Sequence, residues 1–527
     1  MVTPVLLVGT GPAATAAAMA LRRLGIEFEV LDVGYDLEAE RQSRVAALAA
    51  RPPEGWEPGE AEPLFPAPAA SSRGVQKRFV FGSEFSYRGH DHLAIEATDC
   101  VVDVSHALGG FGNVWGAAML PWMDDDLAGW PLTHDSLVSS YRRVSQFVPT
   151  SAENDELARV FPQYAAAATA LKRTGQADQL LRALEARRTR LWNRGIRFGR
   201  ARVAVDSADG PRGCRYCGHC LEGCVYGSAY SPRHTWKELI AQGVRVHRGY
   251  YALEARESAS GVELTAVRID DGTTETWQAD RLLCAAGTMG STRLMARSLG
   301  LAHRPVRILD SQYFFFPLMT YKRAREVSGD FTLAEAFIEL HNGRVCDRNV
   351  HCQVYGMNEI FRSTLGSMVP GPLRKPFLMS QIEGRFLLFQ GFLHSDYSGH
   401  MNMTITRSTA NRDEVQLQGY LNSEAAEVAG RAQRMLRSGL SGIGIVPPRA
   451  PQILPPGRSF HAGGSFPMGG SHSIFASDTI GRPAGLSRTH VLDASVFPSI
   501  PAATITLTAM ANADRMVHAM ADAGLLS

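Results

Sequence analysis

The chain has 527 residues, 45% of them hydrophobic and 20% charged, the balance of a folded globular protein rather than a disordered or fibrous one, and it is long enough to divide into two lobes. Lys and Arg exceed Asp and Glu by only two, 54 against 52, and the positive residues are scattered rather than gathered into runs, which removes the electrostatic case for a nucleic-acid partner. The start, MVTPVLLVGTG, has no basic n-region, and no window approaches a membrane span in length, so neither a signal peptide nor a transmembrane segment is expected.

Residues 5–9 read as a short buried strand, 12–24 as an alanine-rich helix and 28–33 as a second strand, a βαβ opening. The first turn holds Gly9, Gly11 and Ala14 in the G-x-G-x-x-A spacing. Glycines there let backbone N–H groups and a helix N-terminus come close to a pyrophosphate. Asp32, 18 residues beyond Ala14, suits a bidentate hold on ribose hydroxyls. Together they predict a dinucleotide site, without choosing between NAD and FAD.

Residues 51–73, with six prolines, predict an irregular excursion over the surface. Asp124, Asp125 and Asp126 read as a solvated turn. From about 133 to 196 the pattern is helical, and after a cysteine loop a set of alternating strands returns to a buried strand at 281–286. The Phe-rich stretch Tyr313–Met319 reads as buried core. Residues 310–420 mix aromatic strands with polar loops and are the expected substrate lobe, which the proline cluster Pro447–Pro456 separates from the end of the chain.

Cys214, Cys217, Cys220 and Cys224 give C-x2-C-x2-C-x3-C, the bacterial ferredoxin spacing for a [4Fe–4S] cluster, with Val225 where a proline usually follows. Cys100, Cys284, Cys346 and Cys352 are dispersed. This crowding predicts a local thiolate site in a reducing, cytoplasmic compartment rather than a disulfide framework. Structural zinc or a plain thiol loop are the other readings.

Further blocks resemble the GMC (glucose-methanol-choline) oxidoreductases. FHAGGSFPMGG from Phe460 and VLDASVFPSIPAATITLTAMANADRM from Val491 are similar to the family's catalytic His before a Gly-rich loop, its Asp-x-Ser-x-x-Pro turn and its final helix. LGGFGNVWGAAMLPW, from Leu108 to Trp122, is similar to the Gly-Gly segment that covers the isoalloxazine. LLCAAGTMGSTRLM, from Leu282, is similar to the strand and Gly turn that rejoin the FAD domain. The cysteine loop with VYGSAYSP resembles that of gluconate-dehydrogenase-like members, and Cys214, Cys220 and Cys224 resemble the three-iron spacing of FAD glucose dehydrogenase subunits.

The resemblance implies an α/β fold: a discontinuous, doubly wound, Rossmann-like FAD-binding domain (1–130, 197–309 and 458–527) and a substrate domain with an antiparallel sheet backed by helices (131–196 and 310–457). It implies FAD held by Gly9, Gly11, Ala14, Asp32, Gly109, Gly110, Asn113, Trp115, Gly287, Asp493, Pro501 and Thr504. His461 becomes the base in oxidation of an alcohol, of a sugar or polyol, by hydride transfer to flavin N5. Electrons would leave through a [4Fe–4S] or [3Fe–4S] cluster to an acceptor protein or quinone. Pro501 is expected in the first turn of the last helix, whose positive end would favour the N1–C2=O edge of a reduced flavin. His394, His472 and His490 are expected to be structural.

The chain departs from the family's pattern in two places. Ile500 stands where Asn or His usually precedes the proline, which removes one expected substrate contact and opens two other readings: a flavoprotein performing a non-redox lyase or isomerase step, or an electron-transfer subunit reduced by a partner protein. Val114, beside Trp115, stands where some members carry a flavin-linked histidine, so non-covalent FAD is expected.

Overall fold

The computed structural model describes all residues except 1–2, 67–78, 90–92, 166–168, 325, 328, 359–360, 363–375, 470–472 and 527; His472 lies outside the described residues. The strand Thr3–Val8 is central to one sheet, and its residues Val5 to Val8 are all buried, as a parallel strand covered on both faces requires. Glu29–Asp32 and then Arg245–Arg248 extend the sheet in parallel on one side. On the other lie the second half of the long strand Thr274–Cys284 and, beyond it, Thr489–Val491. The antiparallel strands Tyr250–Glu257 and Val262–Arg268 attach to the first half of Thr274–Cys284. Both ends of the chain therefore meet in one doubly wound sheet.

The helix Pro12–Arg23 buries Ala13, Ala14, Ala16, Ala17, Ala18 and Ala20, small side chains that let it approach the closing helix Thr506–Asp522, against which it packs. The buried Asp514 on the closing helix accepts ion pairs from Arg23 at 3.4 Å and from Arg143 at 2.6 Å. Arg143 belongs to the helix His134–Val144, which packs on the closing helix as well. That helix, expected with the substrate segments, thus sits with the FAD-side helices.

A second sheet is antiparallel throughout, with strands in the order Ile445–Val446, Tyr313–Thr320, Phe386–Phe392, Val350–Tyr355, Ala336–Leu340 and Ile196–Arg200. Ile196–Arg200, expected to lie where the chain returns to the FAD domain, is instead the outer strand of this sheet. Alternation decides what each face does. Phe314, Phe316, Leu318, Phe389, Val350, Cys352, Val354 and Ile338 point to one side, beneath the helices Gly175–Glu185 and Ala425–Leu440. The second of these helices buries Ala425, Val428, Ala429, Ala432 and Leu436, a helical stripe. Each large side chain so covered contributes roughly 1.5–3 kcal/mol. The other face carries Tyr313, Phe315, Gln390, Phe392, His351, Gln353 and Tyr355; Phe392 pairs with Tyr313 and His351, and Gln390 with Phe315 and Gln353.

A third sheet joins the lobes, in the order Ala462–Gly463, Val306–Asp310, His400–Ser408, Asp413–Tyr420 and Ala94–Thr98. Its short first strand pairs with Leu309 and Asp310 and holds the segment after His461 at the junction. Among the described residues no helix is long and apolar enough to cross a membrane.

Candidate active site

A cavity of about 800 Å³ runs from the N-terminal glycine loop to the antiparallel sheet, a size suited to a cofactor with a small substrate. At its first end Gly9 has φ +100°, and a Cβ there would stand 2.4 Å from the carbonyl oxygen of Ala285, so the loop and the turn after Thr274–Cys284 touch backbone to backbone. A Cβ on Gly110 would lie 3.3 Å from Cα of Gly11, which brings the second glycine segment over the first. The helix Pro12–Arg23 starts at this junction without a side-chain cap, leaving first-turn N–H groups and partial positive charge at the cavity.

Asp32 ends its strand at the same place and accepts a hydrogen bond from the Thr10 hydroxyl. Thr10 Oγ1 in turn accepts from the Gly109 N–H at 2.9 Å. A residue that the motif leaves unspecified thus ties the glycine loop, the acidic residue and the Gly-Gly segment together. Burial pushes the Asp32 carboxyl up to about 7, against the lowering effects of Thr10, of the Gly34 and Val33 backbone and of Arg248.

Gly9, Gly11, Asp32, Gly110, Trp115, Gly287, Asp493 and Thr504 all line the cavity, and so does Val114. Ala14, Gly109 and Asn113 stand behind it. Asn113 donates to the Leu108 and Gly110 carbonyls at 3.0 and 2.8 Å and accepts from Ser231 at 2.7 Å, so it shapes the loop rather than offering its amide to a ligand. Asp493 accepts from the Ser291 hydroxyl at 2.5 Å and the Ser495 N–H at 2.9 Å, and burial raises its carboxyl above the usual range. Glycines whose Cβ would fill the cradle, uncapped helical N–H groups and a buried carboxylate form the donor set of a dinucleotide site, and the residues present fit FAD.

Pro501 does not occupy the first turn of the last helix. That helix begins at Thr506, because the preceding turn is pinned elsewhere: Thr504 Oγ1 accepts from the Leu120 N–H at 3.0 Å, and the Thr504 carbonyl accepts from Trp122 Nε1 at 3.1 Å. The start of the helix, without a side-chain cap, still meets the cavity through Ile505 and Thr506. Ile500 is fully buried and does not line the cavity. Its N–H donates to Ser395 Oγ at 3.0 Å, its carbonyl accepts from the Ser395 N–H at 2.8 Å, and its side chain fills the space over Gly463. The missing polar group is therefore not a gap in the wall; the turn directs this position into the core.

His461 lies at the far end of the cavity. Phe460 before it has φ +60°, a left-handed conformation that costs about 1–3 kcal/mol in a non-glycine residue and gathers at functional sites. The bend is held by the His461 N–H donating to Ser459 Oγ at 2.9 Å, by Ser459 bonding Asp310 at 2.5 Å, and by the His461 carbonyl accepting from Ser311 N–H at 3.0 Å. The imidazole stacks on Phe392 with centroids 4.8 Å apart. Its Nδ1 is buried without a hydrogen-bond partner among the described residues. Burial, helped by the charge of His351, lowers its pKa to about 3, so the ring offers a lone pair throughout the neutral range.

His394 and His490 stay away from the cavity, the first accepting from the Asp396 N–H at 3.1 Å and the second bonded to the Ile480 carbonyl at 3.0 Å. The aspartate run is more than a solvated turn: Asp124 accepts from the His134 N–H at 2.8 Å, and Asp126 is buried and raised to about 7 by that burial.

The cysteine loop does not form the expected cluster site. All four thiols are free, and among the described residues no group of three or more His, Cys, Asp or Glu side chains is placed to hold a metal. The loop is tied down at separate points instead. Cys214 N–H donates to Asp206 at 2.9 Å, Gly218 N–H to Asp330 at 3.0 Å and Leu221 N–H to Thr332 Oγ1 at 3.2 Å, while Phe81 N–H donates to Glu222 at 2.6 Å. Burial pushes Cys214 up to about 11, Cys217 to about 12 and Cys220 higher still.

Residues 456–513 match the family model described as GMC oxidoreductase. The fold matches that of pyridoxine 4-oxidase from Mesorbium loti with a TM-score of 0.61, over 98% of this chain and 99% of that one, at 14% sequence identity. No curated protein matches the sequence. The matched segment supplies His461, Asp493 and Thr504 to the cavity wall, so the part of the chain that is similar to the GMC oxidoreductases contributes directly to the candidate site.

Proposed function

We propose that this FAD-dependent oxidoreductase oxidises an alcohol whose hydroxyl proton passes to His461. The observation that carries the reading is the His461 ring itself, unprotonated through the neutral range, partnerless at Nδ1 and turned to the cavity opposite the glycine loops. FAD, when bound, supplies the hydride acceptor. The chain's part is to hold the carbinol against His461, to receive the proton and to keep water out with Phe392, Phe315, Tyr313 and Trp115. A base so placed contributes roughly 10²–10⁴ in rate. The wall of rings and amides accepts a sugar, a polyol or a planar alcohol. Electrons are not routed through the cysteine loop in this reading.

The test is anaerobic mixing of the FAD-loaded protein with a panel of alcohols. Loss of the oxidised flavin spectrum with formation of the carbonyl product supports the reading. Product formed from any substrate while the flavin stays oxidised would replace it with a lyase or isomerase step.

A further inference from the structure

We propose that Gln390 is the specificity-determining residue of this cavity: its side-chain amide, set in an uncharged wall near the ring on which His461 stacks, selects neutral alcohols whose second polar group offers a donor and an acceptor side by side, as a carboxamide does. The inference rests on the alcohol-oxidising reading above and names the substrate class for it.

Register places the amide. In the strand Phe386–Phe392, Leu387 and Phe389 turn to the covering helices, while Leu388, Gln390 and Phe392 turn to the cavity. Phe315 and Gln353 stand opposite Gln390 on the two neighbouring strands, within side-chain reach. Phe392, two residues along, is the ring on which His461 stacks at 4.8 Å, and two residues of a strand span about 6.6 Å. The amide is therefore displaced along the strand from the base by a distance close to that between para substituents of a benzene ring.

What sets Gln390 apart is that its amide is uncommitted. Gln353 beside it uses both ends, facing His351 Nε2 at 3.2 Å and accepting from the Tyr355 hydroxyl at 2.6 Å. The Gln390 side chain bonds to no group among the described residues and is half-buried in the cavity wall. Whichever way the amide is turned, it offers one carbonyl acceptor and one NH2 donor in a single plane. That pair matches a group showing the same pair in reverse, the geometry by which a glutamine reads the edge of adenine. Water satisfies both ends until a substrate displaces it, and an amide left unpaired beneath a substrate costs about 1–3 kcal/mol. A tail without polar groups therefore binds against a penalty that a complementary edge removes.

Charge is disfavoured by the same wall. Leu388, Phe315, Gln353 and Phe392 surround the amide and carry none. The two arginines that reach the cavity are already committed, Arg293 to Asp413 at 3.0 Å and Arg458 to Asp103 at 3.4 Å. An ionised group here would lose its hydration without a counter-charge.

The experiment uses the FAD-loaded enzyme and two pairs of probes. Benzamide and acetophenone differ only in NH2 against CH3, contain no carbinol, and report binding by their perturbation of the oxidised flavin spectrum. 4-(Hydroxymethyl)benzamide and 4-acetylbenzyl alcohol carry the same difference para to a carbinol, with similar electron withdrawal, and report flavin reduction. One neutral hydrogen bond corresponds to about a five- to tenfold preference for the amide of each pair, in Kd for the first and in the second-order rate constant of flavin reduction for the second. In Gln390→Met, and in Gln390→Leu should the first variant fold poorly, that preference falls to about unity through loss from the amide member. Gln452→Met, an exposed position of the same cavity, keeps it. Weakening of both members alike in the Gln390 variants marks a structural role and overturns the assignment. So does a preference retained in those variants, one lost in Gln452→Met instead, or a wild-type enzyme that binds neither probe or favours the ketone. A Gln390-dependent preference for benzamide with neither carbinol reducing the flavin upholds Gln390 and rejects the alcohol reading; equal reduction by both carbinols does the opposite.

Discussion

If FAD is held through Asp32 as proposed, the Asp32 carboxyl should make cofactor affinity a function of pH, with a calculable size. In the cofactor-free protein it titrates at about 7 in place of 3.8, which makes its ionised form about 4 kcal/mol less stable than in water. The sign follows from that direction. A raised carboxyl favours the folded apoprotein below its unfolded value of 3.8, and this contribution is lost as pH rises through about 7. Ribose hydroxyls donate to a carboxylate, so FAD binds the ionised form, and binding must release the proton wherever the apoprotein holds it. At about pH 5 only about 1% of the apoprotein is ionised, and FAD affinity is about 100-fold weaker than at about pH 9. Titrating apoprotein into FAD and following the quenching of flavin fluorescence measures this. Asp32→Asn should bind FAD weakly at every pH with a flat profile. Equal affinity at both pH values in the wild type, or the same slope in Asp32→Asn, would refute the reasoning, because Asp32 is then ionised before the cofactor arrives.

The remaining predictions concern the base, the helix packing and the cofactor's attachment. His461→Gln should keep its flavin and lose about 10²–10⁴ in the rate of anaerobic flavin reduction; the wild-type rate, measured at saturating FAD, should show no acid limb down to about pH 5, since the ring is raised to its charged form only near 3. Asp514→Ala leaves Arg23 and Arg143 facing each other without their shared carboxylate and should destabilise the fold by about 2 kcal/mol, less than for a fully enclosed pair because both arginines reach water; a melting temperature equal to wild type would count against it. Acid precipitation should leave all flavin in the supernatant, since Val114 and Trp115 offer no histidine at the cavity. Iron and acid-labile sulfide on the same sample should be far below one cluster per chain, and Cys220→Ser should not alter flavin reduction.

The cofactor end was legible because its constraints are local in the chain. Gly9 must be glycine for the backbone of Ala285 to come close, and that shows in a spacing of a few residues after a strand. Thr10 escapes such reading, and Asn113 was expected to hold the cofactor directly, since both act by bonding loops to one another, and nothing in a single segment announces a partner a hundred residues away. Pro501 misled for a related reason. Proline suits the first turn of a helix, but the helix start is delayed by the bonds of Thr504 to Leu120 and Trp122, contacts that the local preference does not contain. The cysteine spacing misled likewise: four thiols within eleven residues are close in sequence, but spacing does not fix the path of a loop that bonds to Asp206, Asp330 and Thr332, and among the described residues they form no metal-holding group.

The substrate end was legible in principle but depends on register. In VHCQVY the residues His351, Gln353 and Tyr355 alternate with Val350, Cys352 and Val354, so the strand itself separates a polar face from an apolar one. Which face meets the cavity is decided by what the neighbouring strand covers. Phe389 pairs beside Val354 and packs, with Val350 and Cys352, beneath the helices Gly175–Glu185 and Ala425–Leu440. A slip of one residue would turn all of these positions over: Cys352 and Val354 would enter the cavity, and His351 and Gln353 would lie under the helices with the buried Glu339 left unpaired. Unpaired, that carboxylate would cost several kcal/mol. The Glu339–His351 contact therefore serves twice. It orients the polar face of the strand toward the cavity, and it penalises the one pairing error that would turn that face over, so the cavity wall depends on an acidic residue that does not itself line the cavity.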